Sequence, residues 1–166
     1  MQFEELYHEQ KKRVFNLALQ YVQNVGDAEE ITQDVFVKVH QSYETFRHDA
    51  KISTWIYRIT INQSRDYLKA KKRKKRFAFI TSLFYEDSNE VKHEHPDFNH
   101  PGIRMEHKEE LARLFTKING LPENQKTALI LAKIEHKSQG EIAEIMELSV
   151  KAVESLILRA KTSLKK

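Results

Sequence analysis

This chain carries many cationic side chains at helical spacing, and cations are the groups that bind negatively charged ligands. Seven of the eight residues from Lys69 to Arg76 are Lys or Arg. Projected at roughly 100° per residue, the run continues a stripe on one face of a helix. The stripe comprises Thr54, Arg58, Arg65, Lys69 and Lys72, with Lys51 just before it. Because such a charge density repels itself unless phosphates or solvent counter it, the stripe predicts contact with a nucleic-acid backbone. A solvated tail or a localisation signal remains the alternative.

A second group with a chemical use lies at residues 138–166, which predict two helices joined by a tight turn. Ser138 and Glu141 have the spacing of a capping box, and Ser149 predicts the cap of the next helix. With so short a turn, the helices must pack at a steep angle, which is the geometry of a helix-turn-helix that enters a DNA major groove. An ordinary helical hairpin remains the alternative.

Three upstream helices must position these groups. The first is predicted over Phe3 to Val22, with Gly26 as its left-handed cap, and the second starts at an acidic capping box of Asp27 and Glu30. The third starts with Ser53 or Thr54 as cap and runs to about Arg76. The second helix buries Ile31, Val35 and Val39 on one face. Its opposite face has the composition of a protein-docking surface and carries Glu30, Gln33, Asp34, Val37 and Gln41.

Charge divides the chain into three parts. Counting along the sequence, residues 1–76 carry a net +5, residues 77–103 a net −4 and residues 104–166 a net +3. We therefore predict an all-α protein of two small helical domains, 1–76 and 104–166, joined by a flexible acidic linker at 77–103. The first is a helical bundle and the second ends in the helix-turn-helix. Opposite charges should let the free chain become compact.

Composition excludes several classes of site. The chain has 166 residues and no cysteine, which removes disulfides, thiolate metal ligands and a cysteine nucleophile. No run approaches the ~20 apolar residues of a membrane span, and no apolar signal segment opens the chain, so the cytoplasm is predicted. Three linker histidines, His93, His95 and His100, have no predicted scaffold to fix metal geometry. No cofactor, no metal and no enzymatic activity are predicted.

Three motifs together resemble the extracytoplasmic-function (ECF, group IV) sigma factors of bacterial RNA polymerase. The segment Asp27-Ala-Glu-Glu-Ile-Thr-Gln-Asp-Val-Phe36 is similar to their polymerase-binding segment. Phe46 and Lys51-Ile-Ser-Thr-Trp-Ile-Tyr-Arg-Ile-Thr-Ile-Asn62 resemble the segment that melts promoters and reads the −10 element. Leu121-Pro122 and the closing helix-turn-helix resemble region 4, and this resemblance implies that the second domain is a four-helix domain. Housekeeping sigma factors carry further domains for which this chain is too short.

The resemblance implies partners and roles for these residues. The docking surface would bind core RNA polymerase. The single-stranded −10 element would be bound by Arg47, Lys51, Ser53, Thr54, Trp55, Arg58, Asn62, Arg65, Lys69 and Lys72. The duplex −35 element would be read by Lys151, Ser155, Leu158, Arg159 and Thr162, with Lys151 and Ser155 on base edges and Arg159 on a phosphate. An anti-sigma factor, commonly tied to a membrane protein, is implied as inhibitor, without direct insertion of this chain into the membrane.

Two positions depart from the family pattern. His40 stands where tryptophan is frequent, and Glu147 occupies a turn position usually held by glycine. A left-handed backbone there would cost a non-glycine residue roughly 1 kcal/mol.

Two other functions remain as alternatives to a sigma factor. A freestanding helix-turn-helix regulator would leave the 27–62 motifs unexplained, and a metal-dependent nuclease would need carboxylate pairs on a rigid scaffold.

Overall fold

The computed structural model describes residues 2–84 and 105–166, and both ranges are helical. The seven α-helices of these ranges are α1 (Phe3–Val22), α2 (Val25–Ser42), α3 (Ile52–Phe84), α4 (Met105–Asn119), α5 (Glu123–Lys133), α6 (Gln139–Met146) and α7 (Val150–Leu164). A short 3₁₀ turn, Tyr43–Thr45, follows α2. The all-α fold predicted from the sequence is confirmed. The three linker histidines lie outside the described residues.

Helices α1, α2 and α3 pack as a three-helix bundle around one apolar cluster. Leu6 and Val14 of α1 meet Ile56 of α3 there, together with the predicted inner face of α2. Ile31, Val35 and Val39 are each at most 1% exposed, so the helical period assigned the α2 faces correctly. The bundle leaves the opposite face of α2 on the surface.

A second apolar cluster joins the bundle to the C-terminal helices. Leu17, Tyr21, Tyr57 and Ile61 of α1 and α3 pack against α5, α6 and α7. The residues they meet include Ala128, Ile130, Leu131, Ile142, Ile145, Val153 and Ile157. The two helical units are therefore in direct apolar contact, as the expectation of a compact chain requires. We call this arrangement the closed form.

The junction between α1 and α2 differs from the sequence prediction. Gln23, and not Gly26, takes the left-handed conformation that ends α1, at φ 52° and ψ 33°. Its side-chain amide exchanges hydrogen bonds with Asn119, with N···O distances of 3.2 and 2.8 Å, which holds it in place. Asn24 then caps α2 by accepting from the Asp27 amide at 2.9 Å. The predicted capping box of Asp27 and Glu30 is wrong, because Asn24 is itself a favoured cap and lies one turn earlier.

Helix α3 also exceeds its predicted bounds at both ends. It begins at Ile52, ahead of the expected caps, and continues to Phe84, eight residues beyond Arg76. The extension contains neither glycine nor proline, and the hydroxyls of Thr81 and Ser82 donate to the helix carbonyls of Phe77 and Phe79. Residues 77–84, assigned to the linker, are thus helical.

Candidate nucleic-acid interface

The C-terminal helices α6 and α7 form the predicted helix-turn-helix. Ser138 Oγ accepts from the Glu141 amide at 3.2 Å, and the Glu141 carboxylate accepts from the Ser138 amide at 2.8 Å. These hydrogen bonds hold the pKa of Glu141 below its usual value. Ser149 caps α7 through the Ala152 amide at 3.1 Å. Both predicted caps are confirmed, so local hydrogen bonds fix where each of the two helices begins.

The turn between α6 and α7 has the strained backbone that the sequence indicated. Glu147 adopts φ 57° and ψ 42°, in the left-handed region that favours glycine.

We therefore expect Glu147→Gly to stabilise the fold by about 1 kcal/mol. The greater freedom of the unfolded chain and the loss of the exposed ion pair with Arg58 should offset part of this gain. The midpoint temperature of thermal unfolding should rise by about 2–4 °C. The exposed control Glu154→Gly, in the interior of α7, should lower it, and equal shifts for both would contradict the assignment.

The five candidate residues for the −35 element lie together on the outer face of α7. Lys151, Ser155, Leu158, Arg159 and Thr162 are all exposed, whereas Val153, Ile157 and Ala160 are buried beneath them. Leu158 is 66% exposed, which suits contact with a thymine methyl group. The Thr162 hydroxyl donates to the Leu158 carbonyl at 2.9 Å, so its polar atom is already engaged.

The segment before α3 is anchored by aromatic contacts. The Phe46 ring stacks on Trp55, with centroids 4.7 Å apart, and His48 packs edge-on against Phe46. His48 has φ 57°, which turns the chain sharply at this point. Arg47 and Lys51 are exposed around the turn, and Ser53 is half-buried. The stacked rings of Phe46 and Trp55 therefore hold a short loop in which Arg47 and Lys51 are exposed.

Thr54 does not lie on an accessible face. Its side chain is 7% exposed, which contradicts its assignment to the DNA-binding stripe. A projection at 100° per residue places a residue relative to its own helix only, and here other parts of the fold cover that position. Trp55 is half-buried, and Asn62 is exposed.

Arg58 is held by the helix-turn-helix. Its guanidinium donates to the Glu144 carbonyl at 2.6 Å and to the Ile145 carbonyl at 3.3 Å, both at the end of α6. It also lies 3.7 Å from a carboxylate oxygen of Glu147. The last carbonyls of a helix lack intrahelical donors, and a cation there also interacts favourably with the helix dipole. Arg58 is therefore engaged with the protein itself in the closed form.

Arg65 is held in the same way by α5. Its Nη2 donates to the Thr127 hydroxyl at 2.8 Å and to Asn124 Oδ1 at 3.1 Å. Glu123 lies 3.7 Å from Arg65 Nε and 3.8 Å from Lys69 Nζ. Arg58, Asn62 and Arg65 line a cleft of about 230 Å³ between the two helical units. The central part of the cationic stripe is thus covered, whereas Lys69 and Lys72 remain exposed.

A buried polar cluster that the sequence did not predict lies beside Arg65. The hydroxyls of Tyr21 and Thr127 are 2.5 Å apart, and Lys126 Nζ donates to the Tyr21 carbonyl at 3.3 Å. Burial, reinforced by the nearby cation of Lys72, lowers the pKa of Lys126 to about 8. Burial also raises the pKa of Tyr21 to about 12. Helix α5 carries both Lys126 and Lys133, and nothing in its local pattern marks Lys126 as the interior one. Only the contact with α1 reveals that Lys126 is buried.

The lowered pKa of Lys126 predicts a pH effect on stability. Since the folded state binds fewer protons than the unfolded state between about pH 8 and pH 10, stability should rise with pH in that window. Below pH 8 both states are protonated, and the cost of burying the charge is present in full. Thermal unfolding of the wild type and of Lys126→Met at pH 7 and pH 9.5 tests this. The wild type should gain stability relative to the variant at pH 9.5, and parallel changes would contradict the assignment.

The outer face of α2 is open to a partner. Val37 is 54% exposed, and Glu30, Gln33, Asp34 and Gln41 surround it as exposed polar residues. Glu30 has a long contact of 3.5 Å with the Tyr67 hydroxyl. Asp27 accepts from Tyr67 and Lys71, each at 2.7 Å, which ties α2 to α3. His40 is exposed and packs edge-on against Phe3, at 4.9 Å between ring centroids.

Comparison with known proteins assigns this geometry to a family. The sequence family Sigma-70 region 2 matches residues 6–74, and Sigma-70 region 4 matches residues 111–164. The chain is 30% identical to the RNA polymerase sigma-H factor of Pseudomonas aeruginosa, over 99% of this chain and 84% of that protein. It is 34% identical to the ECF RNA polymerase sigma-E factor of Haemophilus influenzae, over 91% of this chain and 79% of that protein.

Two solved structures share the fold. CnrH, in complex with the cytosolic domain of CnrY, has a TM-score of 0.67 at 24% identity, over 98% of this chain and 84% of that chain. The sigma factor RpoE of Bartonella quintana, in complex with the anti-sigma factor NepR, has a TM-score of 0.68 at 17% identity, over 98% and 94%. Among residues 2–84 and 105–166, no helix is long and apolar enough to cross a bilayer.

The two matched regions, in this order and separated by a connector, define a sigma factor with regions 2 and 4 of the sigma-70 type. The chain belongs to the sigma-70 family and, within it, to the ECF sigma factors. It is an alternative sigma factor that directs RNA polymerase to promoters.

Proposed function

We propose that each of the three surfaces has one task in transcription initiation. The outer face of α2 docks on core RNA polymerase. The 46–53 loop and the cationic stripe of α3 capture the unstacked −10 strand, and the outer face of α7 reads the −35 duplex. Capture of the single strand favours melting without any bond being made or broken, so no catalytic residue is required. The place of action is that of the polymerase, the cytoplasm.

The observation that carries the mechanism is the engagement of Arg58 and Arg65 by the C-terminal helices. Their hydrogen bonds to α5 and α6 occupy the donors that a DNA backbone would need. Promoter binding at the −10 element therefore requires the two helical units to separate. Core polymerase would stabilise the separated form by holding each unit at its own promoter element, since the second contact is then made at high effective concentration.

The closed form covers the two proposed DNA-binding surfaces to different extents. The five α7 residues stay exposed, while the middle of the α3 stripe is covered. The free chain should therefore retain weak affinity for the −35 duplex and have little for the −10 strand. An anti-sigma factor would act on this equilibrium by binding and stabilising an arrangement in which the α3 stripe stays covered.

Substitutions should separate the two DNA-binding surfaces. Lys151→Ala and Ser155→Ala should change the preference among −35 sequences, because each hydrogen bond to a base edge contributes about 1–3 kcal/mol of discrimination. Arg58→Ala and Arg65→Ala should reduce open-complex formation on all promoters and weaken its dependence on salt. Run-off transcription with core polymerase on a −35 library, at two salt concentrations, measures both effects. A uniform reduction by all four substitutions would contradict this division.

Footprinting with and without core polymerase distinguishes the sigma factor from a freestanding regulator. A helix-turn-helix regulator protects its site without polymerase and generally as a dimer with two half-sites. We expect footprints over both promoter elements only when core polymerase is present. Full protection by the chain alone would favour the regulator.

A further inference from the structure

The last turns of α3 present large apolar side chains to solvent. Phe77 is 73% exposed, Phe79 58%, Ile80 51% and Leu83 67%. Single exposed apolar residues are ordinary, but four within seven positions form a patch, and such patches mark interaction sites. Within the described residues, no apolar cluster of the fold includes any of the four.

Cations precede this patch on the same face of the helix. At 100° per residue, Lys69, Lys72, Arg73 and Arg76 fall within an arc of roughly 100°, and Ile80 and Leu83 continue the same arc. Phe77 and Phe79 lie on its two sides. The four cations line an open groove of about 430 Å³ together with Asp66. We call the four cations and the four apolar residues the α3 tail surface.

The α3 tail surface is accessible in the closed form. Between residues 2–84 and 105–166, the polar contacts of α3 with the C-terminal helices end at the ion pair of Lys69 with Glu123. Over residues 2–84 and 105–166, Lys72, Arg73 and Arg76 form no ion pair. A partner could therefore reach this surface without opening the molecule.

We propose that the α3 tail surface binds the surface of a membrane that contains anionic phospholipid. The cations would lie on the phosphate headgroups, and the apolar side chains would enter the boundary between headgroups and acyl chains. Because the cations and the apolar side chains follow one another along one face of a single helix, both groups can reach the same membrane surface together. A spanning mode is not available to α3, because no described helix is long and apolar enough.

Two other occupants fit the observations less well. A second copy of this chain would bring the cations of one tail surface against those of the other, which is repulsive. A nucleic acid would neutralise the cations and could stack bases on the rings of Phe77 and Phe79. It would leave Ile80 and Leu83 without a partner, although these two apolar side chains lie on the same arc as the cations and carry no ring. An anionic lipid surface satisfies both parts at once.

The proposal goes beyond promoter recognition and has a consequence for it. Lys69 and Lys72 belong both to the α3 tail surface and to the cationic stripe. Lipid and promoter DNA should therefore compete for the chain. This consequence alone rests on the proposed function, whereas the binding itself can be measured without polymerase or DNA.

Co-sedimentation of the full chain with large unilamellar vesicles tests the binding. We expect the chain to bind vesicles of phosphatidylcholine with about 30% phosphatidylglycerol at least about tenfold more strongly than vesicles of phosphatidylcholine alone. Phe79→Ser with Leu83→Ser, and separately Arg73→Glu with Arg76→Glu, should each reduce binding to the anionic vesicles at least about tenfold. All four side chains are exposed, so the fold should be retained, as circular dichroism would show.

Matched controls make the result specific to this surface. Val37→Ser with Leu158→Ser removes exposed apolar side chains elsewhere, and Lys38→Glu with Lys161→Glu makes the same charge change elsewhere. Both controls should bind the anionic vesicles within about threefold of the wild type. Absent vesicle binding, or binding that the Phe79 and Leu83 substitutions leave unchanged, would overturn the proposal. If those substitutions instead weaken binding to a single-stranded oligonucleotide and not to vesicles, the surface belongs to nucleic acid.

Discussion

Val37→Asp combined with Asp34→Lys should weaken binding of this sigma factor to core RNA polymerase by at least about 30-fold. Both residues lie on the exposed outer face of α2, and Val37 is its apolar centre. Truncating a residue at the centre of an interface commonly costs about 2 kcal/mol or more, and burying a new carboxylate adds a desolvation cost. Titration of labelled core enzyme with each variant gives the change in Kd directly.

A matched pair on the other helical unit serves as the control. Leu158→Asp with Glu154→Lys makes the same two chemical changes on exposed positions of α7. This pair should leave core binding without DNA close to the wild type while it impairs promoter selection. Circular dichroism should be unchanged for both pairs. If the α2 pair is folded and binds core enzyme normally, the docking surface lies elsewhere.

The second large effect concerns the closed form, which Thr127→Val should open. The Thr127 hydroxyl meets the Tyr21 hydroxyl and accepts from Arg65, and it is fully buried. Valine keeps the shape but leaves the buried Tyr21 hydroxyl without that partner, at a cost of about 1–3 kcal/mol. The ratio of closed to open molecules should fall by about 5- to 150-fold. Small-angle scattering should show a larger radius of gyration, and affinity for a single-stranded −10 oligonucleotide should rise.

Thr60→Val is the matched control for this change. Thr60 is also fully buried, but its hydroxyl donates to the Ile56 carbonyl one turn away within α3, at 2.8 Å. Removing this hydroxyl should affect stability without changing the distance between the two helical units. Were the two variants to expand equally, the hydroxyl of Thr127 would have no special part in the closed form. Salt should have a smaller effect than Thr127→Val, because the interface contains an apolar cluster as well as exposed ion pairs.

The exposed faces of α2 and α7 were predictable because each depends on one helix alone. Helical period fixes which residues share a face, and the apolar residues on one side fix which side is buried. The same reasoning failed at Thr54, which is buried, whereas Arg58 and Arg65 lie on the predicted face and are engaged there by the C-terminal helices. It also placed the start of α2 too late, because Asp27 and Asn24 are both good caps and helical period does not choose between them.

The cationic stripe shows the limit of prediction most clearly. The sequence located Arg58 and Arg65 on one face and indicated a phosphate partner. It could not indicate that both side chains are bound to α5 and α6, which are far away in the sequence. Lys126 is a similar case, since its burial arises against Tyr21 of α1.

By itself, the sequence of this ECF sigma factor determined what depends on neighbours within one or two helical turns. That includes the caps at Ser138 and Ser149, the left-handed turn at Glu147, and the inner and outer faces of the helices. Only the tertiary structure decided which functional groups are free, because the hydrogen bonds of Arg58, Arg65 and Tyr21 join residues that no local pattern relates. The free-energy difference between the closed and the open form depends on these distant partners, and it is therefore set by how the two helical units pack.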